Sequence, residues 1–275
     1  MRIVLLLLFA FSLYAKEILL VSILPQKYFL EQLVGNNFQV KALIPPGASP
    51  ATYSLKPSDL QTIKKAQYYF TIGVPFEKAN IPRITSANPN LKLIDTTKYI
   101  RLYPMQAHHD HKDHHHKGLD PHVWLAPNLA IQITRSMLDT LLQIDPIHKE
   151  LYLDNYNRFA KEAIALDTEI YSKLIGIKNR SFLVFHPSFG YFARSYNLEQ
   201  IAIEQEGKEP KIKDLLHLLQ KAKIKGIKKV IIEPQFPKRS AKLIAKKLKA
   251  KVIVIDPLAY DWPKSLKSLA DAISH

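Results

Sequence analysis

Short apolar runs alternate along the chain with longer segments whose apolar residues recur at helical spacing. The runs that predict buried strands in the first half are 17–22, 38–44, 68–72 and 91–94. Helices are predicted to begin at Pro25 and Pro57, because proline is favoured in the first turn of a helix. Strands that alternate with helices are typical of a parallel sheet with helices on its faces.

The same alternation returns in the second half. The predicted strands there are 182–185, 200–203, 229–232 and 252–255, and the predicted helices are 189–195, 211–222, 238–249 and one from Pro263. A helix over 128–144 precedes a long one from Pro146 to about residue 173, which would span about 42 Å at 1.5 Å per residue. We therefore expect an α/β fold of two lobes, each a mostly parallel sheet flanked by helices. The predicted division is a first lobe over 16–145, a rigid linking helix over 146–176 and a second lobe over 177–275.

Residues 1–15 have the pattern of a secretory signal peptide. Arg2 precedes an apolar run over 3–11, and Ala15 offers a small residue before the predicted cut. The run is shorter than the ~20 residues needed to span a bilayer, and we expect no later segment to insert stably into a membrane. The chain has no cysteine, so a lipid anchor on cysteine is excluded. These features predict an exported, periplasmic protein. We also expect it to be a monomer.

The charge is strongly basic. Lys and Arg number 39 against 24 Asp and Glu, which gives a net charge of +15 over 275 residues. Residues 208–251 hold 15 of these cations and three acidic residues, so most of the excess lies in this segment. Its helix over 238–249 places lysines opposite an apolar stripe, which predicts a solvated basic face. Export and the absence of a nucleic-acid-binding motif exclude nucleic acid as a partner.

Three polar residues directly follow predicted strands of the second half: His186, Glu233 and Asp256. The carboxyl ends of parallel strands line the ligand crevice of an open α/β sheet, so these side chains should lie near one another. Each alone could be a turn former or a helix cap, but together they favour a site. His122 precedes the predicted helix at 128. Alone it would be a structural residue, but two imidazoles and a carboxylate suit zinc.

Six of the eleven histidines lie within 107–118, in the sequence AHHDHKDHHHKG. They are His108, His109, His111, His114, His115 and His116. We expect a solvated loop here, and clustered imidazoles on such a loop bind transition metals loosely. Because cysteine is absent, any metal must be held by histidine and carboxylate side chains.

Several motifs, taken in order, resemble those of the periplasmic metal-binding subunits of zinc and manganese ABC transporters, the ZnuA-like proteins. These motifs are PPGASP at 45–50, GVPFE at 73–77, DPHVWL at 120–125, HPSFGYF at 186–192, EPQF at 233–236 and DPL at 256–258. The resemblance implies two α/β lobes joined by one long helix, with a metal site in the cleft. It implies a non-enzymatic protein that binds Zn²⁺ through His122, His186 and Asp256 and delivers it to an inner-membrane ABC permease. Histidine at position 186 is similar to the zinc branch of the family.

One ligand position departs from the family's pattern. A histidine is expected directly after Gly-Ala-Ser-Pro, and this chain has Ala51 there. Water helped by Glu77 is our first hypothesis for the missing ligand, and a histidine of the 108–116 tract is another. Glu233 is interpreted as a carboxylate that orients a ligand histidine through its other ring nitrogen.

The alternatives to zinc uptake follow from the same residues. Ala51 is compatible with a divergent paralogue whose metal binding is weakened or altered, such as a Mn²⁺ binder, a buffer or a chaperone. A zinc hydrolase is less favoured, because the chain has no HExxH motif and no obvious general base beyond Glu77 or Glu233.

Overall fold

The computed structural model describes residues 16–105, 118–204, 212–236 and 238–274. The predicted signal peptide and all six histidines of the 107–118 tract lie outside the described residues, so both remain predictions. None of the described helices is long and apolar enough to cross a membrane.

The first sheet has four parallel strands in the order β2-β1-β3-β4. Their bounds are β1 Ile18–Val21, β2 Gln39–Ala42, β3 Ala66–Thr71 and β4 Lys92–Asp95. The helices that connect them are α1 Leu24–Val34, α2 Pro57–Lys65 and α3 Pro75–Ala87. Leu19, Leu20 and Val21 of the central strand are fully buried. Both faces of this strand are therefore covered, as expected for a parallel sheet.

Helix α3 was not predicted by the sequence patterns. Pro82 lies inside it, and an interior proline removes a helical hydrogen bond and often ends a helix. The helix nevertheless continues to Ala87, with Phe76 and Ile84 buried in the core. Tertiary packing of its apolar side chains thus outweighs the unfavourable local preference.

The second sheet repeats the topology of the first, with the parallel order β6-β5-β7-β8. Its strands are β5 Ser181–Val184, β6 Glu199–Ala202, β7 Lys229–Ile232 and β8 Lys251–Val254. Its helices are α6 Gly190–Ser195, α7 Ile212–Ile224, α8 Lys238–Leu248 and α9 Trp262–Ser274. Leu183 and Val230 pack with α7 and α8, whereas Val184 and Ile231 belong to the core that contains α9. The strands therefore alternate between two covered faces.

Two further helices follow the first sheet and precede the second along the chain, α4 Pro127–Ile144 and α5 Lys149–Leu174. The predicted helix from Pro146 begins as a short 3-10 turn over Pro146–His148 and continues as α5 for 26 residues, about 39 Å. Helix α5 packs against α1, α4 and α9. Two parallel-sheet lobes joined by a long helix confirm the predicted fold class.

Aromatic residues connect the two lobes beside α5. The Trp262 ring of α9 lies 5.0 Å from Phe29 of α1 and 6.1 Å from Phe159 of α5, between centroids. The Trp262 indole N–H donates to the carbonyl oxygen of Trp124 at 2.6 Å, and the Trp124 indole N–H donates to that of Pro257 at 2.8 Å. These buried hydrogen bonds fix the segment before α4 against the segment after β8.

Candidate metal centre

The structure brings His122 and His186 together, with ring centroids 5.2 Å apart and ring planes at 68°. His122 lies in the segment that leads into α4, and His186 lies two residues after β5. One imidazole therefore comes from the chain before the long helix and the other from the second sheet. Both are partly exposed, so a solute can reach them.

A buried carboxylate, Asp120, fixes the orientation of His122. One oxygen, Oδ1, accepts hydrogen bonds from the His122 ring Nδ1 at 2.7 Å and from its main-chain N–H at 3.0 Å. The Tyr191 hydroxyl donates to the Asp120 carbonyl oxygen at 3.0 Å. A Cβ atom at Gly190 would lie only 2.8 Å from Asp120 Oδ2, so a residue without a side chain is needed for this packing.

A second buried carboxylate holds His186, and it is Glu204 rather than Glu233. Glu204 follows β6, and its Oε1 lies 2.6 Å from His186 Nδ1. Glu233 is fully buried and accepts hydrogen bonds from the main-chain N–H of His186 at 3.3 Å and the Ser188 hydroxyl at 3.2 Å. Burial raises the pKa of Glu233 to about 8. The interpretation of Glu233 as the carboxylate that orients a histidine ring is therefore wrong, because β5 pairs with β6 and places Glu204 there instead.

The Nδ1 contacts determine which ring nitrogen can bind a metal. A histidine that donates its Nδ1 proton to a carboxylate keeps the Nε2 lone pair for a metal ion, and the carboxylate raises its basicity. Burial lowers the pKa of His186 and the neighbouring His122 lowers it further, whereas Glu204 opposes both effects. The Phe236 ring stacks on His186 at 5.0 Å between centroids. The site thus presents oriented imidazoles, one of them favoured in its neutral form.

Asp256 lies two residues after β8, and its carboxylate forms hydrogen bonds with neighbouring protein groups. Its Oδ1 accepts hydrogen bonds from the Gln235 side-chain amide at 2.7 Å and from the Leu258 main-chain N–H at 2.9 Å. Within the described ranges, no three His, Asp or Glu side chains lie close enough together to hold one metal ion. The structure therefore pairs His122 with His186 but does not bring Asp256 into a common group with them.

The first-lobe residues near the missing ligand have other contacts. Glu77 is buried, and its carboxylate accepts hydrogen bonds from the Gly73 N–H at 2.7 Å, the Ile72 N–H at 2.9 Å and the Ser22 hydroxyl. Burial raises the pKa of Glu77 to about 7. Ala51 lies exposed between β2 and α2. Both Glu77 oxygens are engaged, so metal binding by Glu77 would require these hydrogen bonds to break.

Two lobes with identical strand order, a long connecting helix and an oriented histidine pair define a two-lobed α/β binding protein of the metal-transport class. The chain belongs to the family described as "Zinc-uptake complex component A periplasmic", whose model matches residues 19–275. Members of this family are solute-binding components of metal uptake systems.

Individual relatives agree with this assignment. A Chlamydia muridarum protein, provisionally named a metal-binding protein, is 30% identical over 100% of this chain and 99% of its own length. The "High-affinity zinc uptake system protein ZnuA" of Yersinia pestis is 26% identical over 89% of this chain and 84% of its own. A zinc-bound crystal structure of a ZnuA deletion mutant superposes with a TM-score of 0.87 at 37% identity, covering 94% of this chain and 97% of the other.

Proposed function

We propose that this protein captures Zn²⁺ in the periplasm and delivers it to an ABC permease in the inner membrane. The observation that carries the proposal is the pair formed by His122 and His186, each held at Nδ1 by a buried carboxylate. Such carboxylate–histidine pairs are the usual support of imidazole ligands to zinc. The family membership and the zinc-bound relative support the same metal.

The proposed coordination uses Nε2 of both histidines and the Asp256 carboxylate. Asp256 would exchange its contact with the Gln235 amide for the metal, because a cation attracts a carboxylate more strongly than a neutral amide does. Water is the proposed fourth ligand, since the methyl side chain of Ala51 has no donor atom and Glu77 accepts hydrogen bonds from the Ile72 and Gly73 N–H groups. Three protein ligands and one water satisfy the tetrahedral preference of zinc.

The test is a zinc titration of the exported protein against a competing chelator. We expect one tightly bound zinc per chain and a loss of at least about a hundredfold in affinity in His122→Ala and in His186→Ala. His148→Ala is the matched control, because His148 is exposed and also pairs with an aspartate at Nδ1, 2.8 Å from Asp145. Wild-type affinity in both test variants would refute the proposed site. Growth in zinc-limited medium then tests delivery, which His186→Ala should impair.

Three variants separate the hypotheses for the fourth ligand. Ala51→His should raise zinc affinity if water now occupies that position. Glu77→Ala should leave affinity unchanged in the fraction that stays folded. Deletion of residues 108–116 should also leave affinity unchanged, and a loss would mean that the histidine tract supplies a ligand.

Ala51 also favours a second candidate function, in which this protein is a divergent member of the family whose zinc binding has weakened. This candidate predicts an affinity weaker than micromolar and a preference among Mn²⁺, Ni²⁺ and Zn²⁺ that differs from a zinc-uptake protein. The same titrations, repeated with each metal, distinguish the two functions. Hydrolysis of ester or peptide substrates by the zinc-loaded protein would instead indicate an enzyme.

A further inference from the structure

The outer face of α8 carries cationic side chains over the part whose side chains are described, residues 241–248. Lys242, Lys246 and Lys247 are exposed there, and Lys249 and Lys251 continue the surface toward β8. We call these five lysines the basic face. No acidic residue occurs between residues 241 and 251. Leu243, at 51% exposure, lies among the lysines without being covered.

The lysines of the basic face form no ion pair with any described residue. This distinguishes them from two lysines near the end of neighbouring α7. Lys221 in the helix and Lys225 just after it contact Glu199 at 3.3 and 2.5 Å. A surface with uncompensated charge of one sign attracts counter-charges from outside the molecule. Its partner is therefore expected to be anionic.

The position of α8 keeps this surface accessible. Ala241, Ile244 and Ala245 are buried in the core that α8 shares with α7, on the sheet face opposite the one covered by α9. The basic face thus lies on the outer side of the second lobe. Strand β8, which carries Lys251 at its start, is an edge strand of the sheet. The surface therefore combines lysines with one exposed apolar side chain, Leu243.

We propose that the basic face binds peripherally to the surface of an anionic phospholipid bilayer. Lysine stems lie along apolar surface while their ammonium groups reach phosphates, and Leu243 can enter the boundary between headgroups and acyl chains. A second copy of the chain is disfavoured, because two basic faces repel each other. Nucleic acid would be expected to require stacking aromatic residues, and residues 241–251 contain none.

This proposal is independent of the metal site. Each lysine near an anionic bilayer contributes about a fivefold gain in partitioning, so several lysines suffice for reversible adsorption without a membrane-spanning segment. A binding protein held at a membrane surface searches for a membrane-embedded permease in two dimensions instead of three. That benefit rests on the proposed function, whereas the adsorption itself does not.

The experiment measures sedimentation of the exported, processed protein with vesicles of phosphatidylglycerol and phosphatidylcholine. We expect binding that disappears on pure phosphatidylcholine and weakens in high salt. The triple variant Lys242→Gln/Lys246→Gln/Lys247→Gln should lower the partition coefficient about a hundredfold. The control Lys41→Gln/Lys64→Gln/Lys65→Gln removes the same charge from exposed lysines of the first lobe and should bind like wild type.

Three outcomes would overturn the proposal. The first is no sedimentation with phosphatidylglycerol vesicles. The second is an equal loss of vesicle binding in both triple variants, which would mean that the net charge of the protein, and not the basic face, causes adsorption. The third is that the α8 variant binds vesicles normally but no longer retains the solubilised permease, which would identify an acidic protein surface as the partner. Zinc affinity measured on the same preparations should be unchanged, so failure here is distinguishable from failure of the zinc site.

Discussion

Removing the carboxylate of Glu204 tests whether the orientation of His186 matters for zinc binding. The Glu204 side chain is 4% exposed, and its Oε1 lies 2.6 Å from His186 Nδ1, so it is the buried partner that orients this ring. Loss of such a partner typically lowers metal affinity 10- to 100-fold. We expect Glu204→Ala to lower zinc affinity by nearly 100-fold, which corresponds to a loss of about 2.7 kcal/mol of binding free energy. Glu204→Gln keeps an acceptor oxygen but loses the charge, and it should lower affinity about tenfold.

The assay is chelator competition at neutral pH, with thermal unfolding as a check on folding. Glu199→Gln is the control, because Glu199 lies at the other end of the same strand and contacts Lys221 and Lys225 on the surface. It should bind zinc like wild type. The reasoning is refuted if Glu204→Ala retains wild-type affinity while His186→Ala does not, since His186 would then bind zinc without this support.

Three further predictions follow from named contacts. Gly190→Ala should displace Asp120 and lower zinc affinity about tenfold by chelator competition, whereas Gly176→Ala, with open space around its Cβ, should have no effect. Trp262→Phe leaves the Trp124 carbonyl without its buried donor and should lower the free energy of unfolding in urea by about 1–3 kcal/mol; an unchanged value would contradict the lobe connection. Burial raises the pKa of Glu77 from 4.5 to about 7, so its stabilising contribution is complete below pH 4.5 and is lost as pH rises to 7. Relative to wild type, Glu77→Gln should therefore gain about 3 kcal/mol across that interval, and a pH-independent difference would exclude the shift.

The sequence patterns located the strands well because both sheets are parallel and buried on both faces. Strands of this kind appear as short apolar runs, and β7 was predicted over 229–232, as observed. Helix α3 was missed because its stability comes from the burial of Phe76 and Ile84, which a window containing Pro82 does not reveal. Local preference and tertiary packing disagree at this helix.

The site was only partly predictable for a related reason. His186 and Glu233 were found because each follows an apolar strand, and the same rule applied to the pair Ile203-Glu204 would have found the carboxylate on the His186 ring. That a polar residue follows an apolar strand predicts that its side chain lies at the carboxyl edge of the sheet. It does not predict which carboxylate contacts the His186 ring, because that depends on the pairing of β5 with β6. From the sequence alone, Glu233 was therefore assigned the hydrogen bond with the His186 ring that Glu204 forms.

Each lobe has a buried glutamate in the segment that follows the third strand of its sheet, Glu77 after β3 and Glu233 after β7. These glutamates bear on why such a scaffold can bind a cation. The crevice of a doubly wound sheet opens between the central strands, β1 and β3 in the first lobe and β5 and β7 in the second, where main-chain N–H groups favour an anion. Glu77 accepts the N–H groups that follow β3, and Glu233 accepts that of His186 after β5. Each crevice thus contains its own carboxyl group, whose oxygens accept main-chain donors that an external anion would otherwise use. A fold whose strand ends ordinarily suit phosphate can then present imidazoles to a metal ion at the same edge.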